Sequence, residues 1–261
     1  IAAATACNAW RVPILSPVPS DQRIDELGSW VFQTKVSTEV EVSAVARVAR
    51  KDLLLERFAV LAPHTDEKRR LAQLFVQEIL SRGGVIVTEQ YYKTGDTDFK
   101  DQLETIRDAA PEALFIPGEP EELILVLPQV SFYDMRVQLI GLSNWNSDKL
   151  LRLSRQEVEG AIFPDEAVYG KDRETNQRFA ASYRERFGGE VHAVATAGYF
   201  GARLLLEAVR AGAIDRAQVR EFLDGQLKAS GEQRVAAANA LSILKVRGGE
   251  IREFHGRSRT R

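Results

Sequence analysis

Short apolar runs alternate with amphipathic stretches through residues 56–143. Phe58-Ala59-Val60-Leu61-Ala62, Val85-Ile86-Val87, Ala113-Leu114-Phe115-Ile116 and Val137-Gln138-Leu139-Ile140-Gly141 are the four runs. Their continuous apolar character, rich in β-branched and aromatic residues, predicts strands covered on both faces. Between the first two, Leu71, Leu74, Phe75, Ile79 and Leu80 recur at helical spacing behind a polar opening of Glu67-Lys68-Arg69-Arg70. Gly83-Gly84 then stops the helix, because glycine accepts the left-handed cap position. Phe99, Leu103 and Ile106 predict the next helix, with Asp98 as its candidate cap. Strands and helices alternating at intervals of about 25–30 residues predict a parallel sheet with right-handed crossovers.

The remaining pattern extends this α/β reading. Residues 1–10 look like the end of a helix, and Val12–Ser16 like a buried strand. Pro17 and Pro19 make the segment up to Ser20 a loop, since neither suits a central strand. Trp30–Thr34 reads as a strand. Glu39–Leu55 reads as a helix that packs through Val42, Val45, Ala46, Val48 and Ala49. Gly160–Phe163 is a further strand, and helices follow over Asp172–Phe187 and Ala193–Ala211. Gly198 and Gly201 in the last of these predict close packing, because glycine in a helix interior costs about 1 kcal/mol. Asp215 is placed to cap a helix reaching Leu223. Leu241–Val246 and Glu250–Phe254, joined through Gly248-Gly249, predict a closing hairpin. The basic tail Gly256–Arg261 is expected to fray.

Composition narrows the function classes. The 261 residues are 44% hydrophobic, enough for a substantial core in one large domain or two lobes. A net charge of −2 and a pI near 6.1 give no general attraction to nucleic acid or acidic membranes. One cysteine, Cys7, precludes an internal disulfide or a multi-cysteine metal site. No apolar run approaches the length of a membrane helix, about 18 residues. The chain starts at Ile1 in what looks like mid-helix, so a fragment or mature portion of a longer protein is expected.

Candidate chemistry gathers where strands end. In open α/β sheets ligands bind beyond the carboxyl ends of strands. Those positions hold Ser16, Ser20, His64, Thr65, Asp66, Ser143, Asn144 and Trp145. Thr65 and Asp66 suit helix capping equally well, whereas Trp145 has the aromatic character of pocket linings. Trp10 and Trp30 are expected in core or surface packing. His64, His192 and His255 lie far apart and have no metal-ligand spacing. Neither Ser16 nor Ser20 has a nucleophile-elbow context, so no catalytic residue, metal or cofactor is expected.

A series of phrases carries a resemblance. They are Val12-Pro13-Ile14-Leu15-Ser16-Pro17, Phe58-Ala59-Val60-Leu61, Thr97-Asp98-Phe99, Pro111-Glu112-Ala113-Leu114-Phe115 and Gln138-Leu139-Ile140-Gly141. Glu159-Gly160, Phe179-Ala180-Ala181-Ser182-Tyr183 and Ala195-Thr196-Ala197-Gly198-Tyr199 follow. In this order the chain resembles the type I periplasmic binding proteins, in particular the Leu/Ile/Val-binding receptors of ABC uptake systems. The resemblance implies two α/β lobes with parallel sheets flanked by helices, the first lobe incomplete, and ligand held in the cleft between them. Residues 1–36 would be part of the first lobe, 37–163 the second, 164–225 a return to the first, and 226–261 the closing hairpin and tail. Thr34–Ser37 and Phe163–Asp165 would be the hinge. It also implies a small-molecule ligand such as an amino acid, a membrane permease partner, a periplasmic or extracytoplasmic location, and a lipid anchor on a segment outside this chain.

The departures bear on the ligand. Only Ser20 supplies a hydroxyl in the loop where amino-acid receptors grip the carboxylate. Glu67-Lys68 stands where a Tyr-Gly pair is usual. The expected acidic residue is replaced by Ser143-Asn144-Trp145. The phrase Leu139–Trp145 is closer to the penicillin-binding-protein activator lipoproteins, which implies an alternative role as an envelope regulatory or structural module with a protein partner.

Overall fold

The computed structural model describes residues 1–16, 27–33, 38–164, 173–189, 191, 193–227 and 241–254. Ser20 with its proline loop, His192, His255, the hinge positions Thr34–Ser37 and Asp165, and the tail lie outside the described residues. In chain order the elements are α1 (Ala2–Ala9), β1 (Ile14–Ser16), β2 (Val31–Gln33), α2 (Thr38–Lys51), β3 (Arg57–Pro63), α3 (Asp66–Ser81), β4 (Val85–Tyr92), α4 (Lys100–Asp108), β5 (Ala113–Phe115), α5 (Pro120–Phe132), β6 (Gln138–Ile140), α6 (Asp148–Leu153), β7 (Ile162–Pro164), α7 (Arg173–Phe187), α8 (Ala193–Arg210), α9 (Arg216–Leu227), β8 (Ile243–Arg247) and β9 (Glu250–Glu253). A single 3₁₀ turn, Ser143–Trp145, follows β6.

The chain divides into two units, Ile1–Val36 with Glu166–Arg234, and Ser37–Asp165 with Val235–Arg261. In the first unit β1 and β2 pair in parallel. Phe32, Leu204 and Leu223 form a buried cluster between β2, α8 and α9. Asp215 caps α9 by accepting the Gln218 N–H at 2.9 Å. Trp30 packs under the Arg220 guanidinium, 5.6 Å from the ring centre, whereas Trp10 is 78% exposed. The packing expected of Gly198 is not found among the described residues, since none of them lies within 4 Å of a Cβ there.

The second unit holds a seven-stranded sheet in the order β4-β3-β5-β6-β7-β8-β9. β3 to β7 run parallel, and the β8–β9 hairpin adds antiparallel to β7. The apolar runs become its central strands because helices cover both faces: Phe58 to Ala62, Ala113 to Phe115 and Ile140 are all fully buried. β4 runs five residues past Val87, through Thr88-Glu89-Gln90, because it is an edge strand with only one neighbour. α2 is buried along most of its length, and its buried set includes the polar residues Glu41 and Ser43.

Caps and turns act where the chain reverses. Thr65 caps α3, its hydroxyl accepting the Lys68 N–H at 3.3 Å. Asp98 acts one residue outside the assigned N-cap of α4 and accepts the Lys100 N–H at 3.0 Å. The phrase around it is held by Gln129 of α5, which takes the Phe99 N–H (3.0 Å) and donates to Thr97 O (2.8 Å) while Phe99 is fully buried. Gly248 and Gly249 (φ 64° and 75°) form a tight turn with both central residues left-handed, the geometry that matches strand twist. Their N–H groups point at the Glu159 carboxylate, 2.9 and 3.2 Å away.

Candidate functional site

Topology picks out a place before chemistry does. From β3 the chain crosses through α3 to β4 on one side, and then returns through α4 to β5 on the other side of β3. The loops after β3 and β5 therefore diverge, and the crevice beyond their carboxyl ends is a topological switch point. Three segments of the second unit meet there: residues 64–68 after β3, 116–119 after β5, and 141–146 after β6.

Lys68, in the first turn of α3, reaches across to Glu119, the residue before α5, with Nζ 2.5 Å from Oε1. Glu119 Oε2 accepts from Asn144 Nδ2 at 3.0 Å, and the same amide donates to Gly118 O at 3.0 Å. Burial pushes the Glu119 pKa up, but the Lys68 ammonium and the Asn144 amide outweigh it and hold the carboxyl below its ordinary value. The Lys68 side chain is 13% exposed and that of Glu119 49%, so the pair is open on the acid's side. Asn144 Oδ1 is buried without a partner among the described residues.

Behind this rim the β6 loop is locked. Trp145 has no exposed surface; its Nε1–H donates to Ile116 O at 3.2 Å, and its ring lies where a Gly141 side chain would have to go, 2.3–2.4 Å from a Cβ there. Ser143 is 1% exposed and gives both its donors to one carboxylate: N–H to Glu41 Oε2 at 3.0 Å and Oγ–H to Oε1 at 2.8 Å. Gly118 is required by a close approach, because a Cβ there would lie 2.8 Å from the Tyr92 hydroxyl. That hydroxyl donates to Glu122 at 3.3 Å, and burial together with Glu122 keeps it protonated far above the usual phenol range.

Three of the remaining sequence candidates sit at the same edge. His64 is exposed; its N–H donates to Tyr92 O at 2.7 Å, and its ring meets Tyr91 edge to face. Thr65 and Asp66 are exposed at the start of α3. Ser16 ends β1 in the other unit, in register with Gln33. Ser143 and Trp145 are thus placed inside the protein, as parts that hold the loop. Trp145, whose aromatic character suggested a pocket lining, is buried with its one polar atom satisfied by the core.

Lys68, Glu119 and Glu41 were not singled out from the sequence as site residues. Each acts over a long separation, 102 residues for Glu41 and Ser143, and no spacing rule reports that. The available signals were the register of Glu67-Lys68, at the place of the usual Tyr-Gly pair, and Glu119-Pro120, a helix-start phrase in the loop after a strand. Among the described residues no group of three His, Cys, Asp or Glu is placed to hold a metal ion, and no helix is long and apolar enough to cross a membrane.

Comparison with known proteins follows the same lines. A putative branched-chain amino acid ABC transporter structure from Rhodospirillum rubrum superposes with a TM-score of 0.81 at 24% identity, over 97% of this chain and 76% of that one. A leucine-binding protein from Thermotoga maritima gives 0.74 at 21%, over 97% and 75%. A solute-binding protein of an ABC transporter from Rhodopseudomonas palustris, in complex with 3,4-dihydroxybenzoic acid, gives 0.67 at 21%, over 97% and 74%. No curated protein matches the chain in sequence. The periplasmic binding protein family matches residues 1–244, nearly the whole sequence, and the chain belongs to that family.

Proposed function

We propose that the protein is an extracytoplasmic, non-catalytic receptor that binds a small organic acid at the switch-point rim of its second unit and serves an ABC-type permease. The observation that carries this is the Lys68–Glu119–Asn144 set at the carboxyl ends of β3, β5 and β6. The set offers a cation, an anion and an amide at the switch point, where the topology opens a crevice. An ion pair open to solvent on one side contributes about 0–1 kcal/mol, so its partners can be exchanged at low cost for those of a ligand. Lys68 and the first turn of α3 then face a ligand carboxylate, aided by the helix dipole, while Glu119 and Asn144 take ligand donors. His64, Thr65 and Asp66 flank the rim from outside.

The related structures support a carboxylate as the common ligand group, since they are described with leucine, branched-chain amino acids and 3,4-dihydroxybenzoic acid. Isothermal calorimetry with leucine, isoleucine, leucinamide, benzoate and 3,4-dihydroxybenzoate tests the reading. Saturable heat from a carboxylate but not from the amide is expected, and silence from all five contradicts it.

One observation favours a second reading, an envelope regulatory module with a protein partner. The rim charges are already matched within the chain, by Lys68–Glu119 and also by Arg70–Glu39 at 2.9 Å and Lys149–Glu121 at 2.9 Å. Retention of a peptidoglycan synthase on the immobilised protein, with no small-molecule heat, would decide for that reading.

A further inference from the structure

α2 is otherwise a packing helix. Val40, Val42, Ala44, Val45, Ala46, Val48 and Ala49 are all buried. Glu41 is among them, 1% exposed, in the first turn. A carboxylate is costly to bury unless its lone pairs are satisfied, and the positive end of a helix dipole lowers that cost only in part. Packing therefore does not explain this residue, whereas its partners do: both oxygens accept from Ser143, the first residue of the turn that carries Asn144.

The same turn of α2 also reaches the other half of the rim. Glu39 pairs at 2.9 Å with Arg70 of α3, the helix that presents Lys68. The start of α2 is thus tied to both the Lys68 side and the Asn144 side. Unit 2 begins at Ser37, immediately before this turn.

We propose that Glu41 is a positioning residue: its carboxylate sets where the Ser143–Asn144–Trp145 turn sits, and so where Asn144 meets Glu119 and an incoming ligand. This rests on the receptor reading for its purpose, but the placement of the turn is testable without any ligand. With Glu41 in place, Ser143 points inward, Trp145 enters the core and Asn144 is left facing Glu119. Without it, both Ser143 donors lose their acceptor and the turn has no anchor on α2.

The test uses the full chain carrying W10F and W30F, so that Trp145 is the sole fluorescent tryptophan. Acrylamide quenching and hydrogen exchange of residues 141–146 are read well below each variant's melting temperature. The expected result is shielded Trp145 emission in the parent, several-fold stronger quenching and faster exchange in E41A, an intermediate value in E41Q, and a near-parental value in S143A, which keeps its backbone donor. E41Q serves as the reporting variant where E41A does not fold. If E41Q lowers the melting temperature while quenching and exchange at 141–146 stay parental, Glu41 is only a stability residue and the proposal is overturned. For any acid that the parent binds, E41Q should weaken binding several-fold with Lys68 and Glu119 untouched; unchanged affinity also overturns it. If the parent binds none of the acids, the receptor reading falls, while the quenching result still decides the placement of the turn.

Discussion

Gly141 shows how tightly single residues are specified around the rim. A Cβ there would fall 2.3–2.4 Å from the Trp145 indole, so Gly141→Ala must displace either the ring or the strand end. Overpacking of this kind costs about 1–3 kcal/mol, and chemical denaturation should show a loss in that range. Ser143→Ala removes one of the two hydrogen bonds that Ser143 gives to a buried carboxylate and should cost about 1.5–3 kcal/mol by the same measurement. At the opposite end of the sheet, the Glu56 and Arg57 N–H groups (2.5 and 3.0 Å) hold the Glu112 carboxyl below its ordinary value. The folded pKa is below the unfolded one, so this contribution is present above the unfolded value, near 4.3, and is lost as pH falls through the folded value. Wild type should therefore melt above Glu112→Gln at neutral pH, with the gap closing in acid below about pH 4. Little of this was legible from sequence. Ser143-Asn144-Trp145 stood out as a strand end, but which of the three faces outward is set by a single 3₁₀ turn with no periodic signature.

Elements were far more legible, because burial imposes a period on them. The runs at Phe58, Ala113 and Leu139 are central strands, and continuous apolar sequence is what cover on both faces requires. Edges were read less well: β4 continues through Thr88-Glu89-Gln90, where an edge strand needs no apolar run. Gly160 was read into β7 but has φ 80° and turns the chain before the strand starts at Ile162. The hairpin was visible in Gly248-Gly249. Gly248→Ala there places an L side chain in the left-handed region and should cost about 1–2 kcal/mol, seen as a lower melting temperature with an unchanged circular dichroism spectrum. Gly198 shows the limit of such inference, since its helix position suggested a neighbour and none of the described residues is within reach of a Cβ.

At the scale of the whole molecule, the order of weak phrases along the chain was enough to reveal the family, which the match over residues 1–244 establishes. The ligand was not legible, for a physical reason. Recognition groups of an amino-acid receptor were sought at fixed loop positions, and their absence suggested a site without matching charges. The structure brings the cation to the switch point at Lys68, within the place of the usual Tyr-Gly pair, and the anion from elsewhere, Glu119, through a contact that only folding creates. The proposed receptor role therefore depends on whether those two side chains bind a ligand. Calorimetry of wild type beside Lys68→Met and Glu119→Gln, titrated with leucine and with 3,4-dihydroxybenzoate, asks this directly. Saturable binding of at least one acid by wild type, weakened about tenfold or more (~1.4 kcal/mol) in both variants, is the predicted result. Equal affinities in all three proteins, or no heat from wild type, would contradict it.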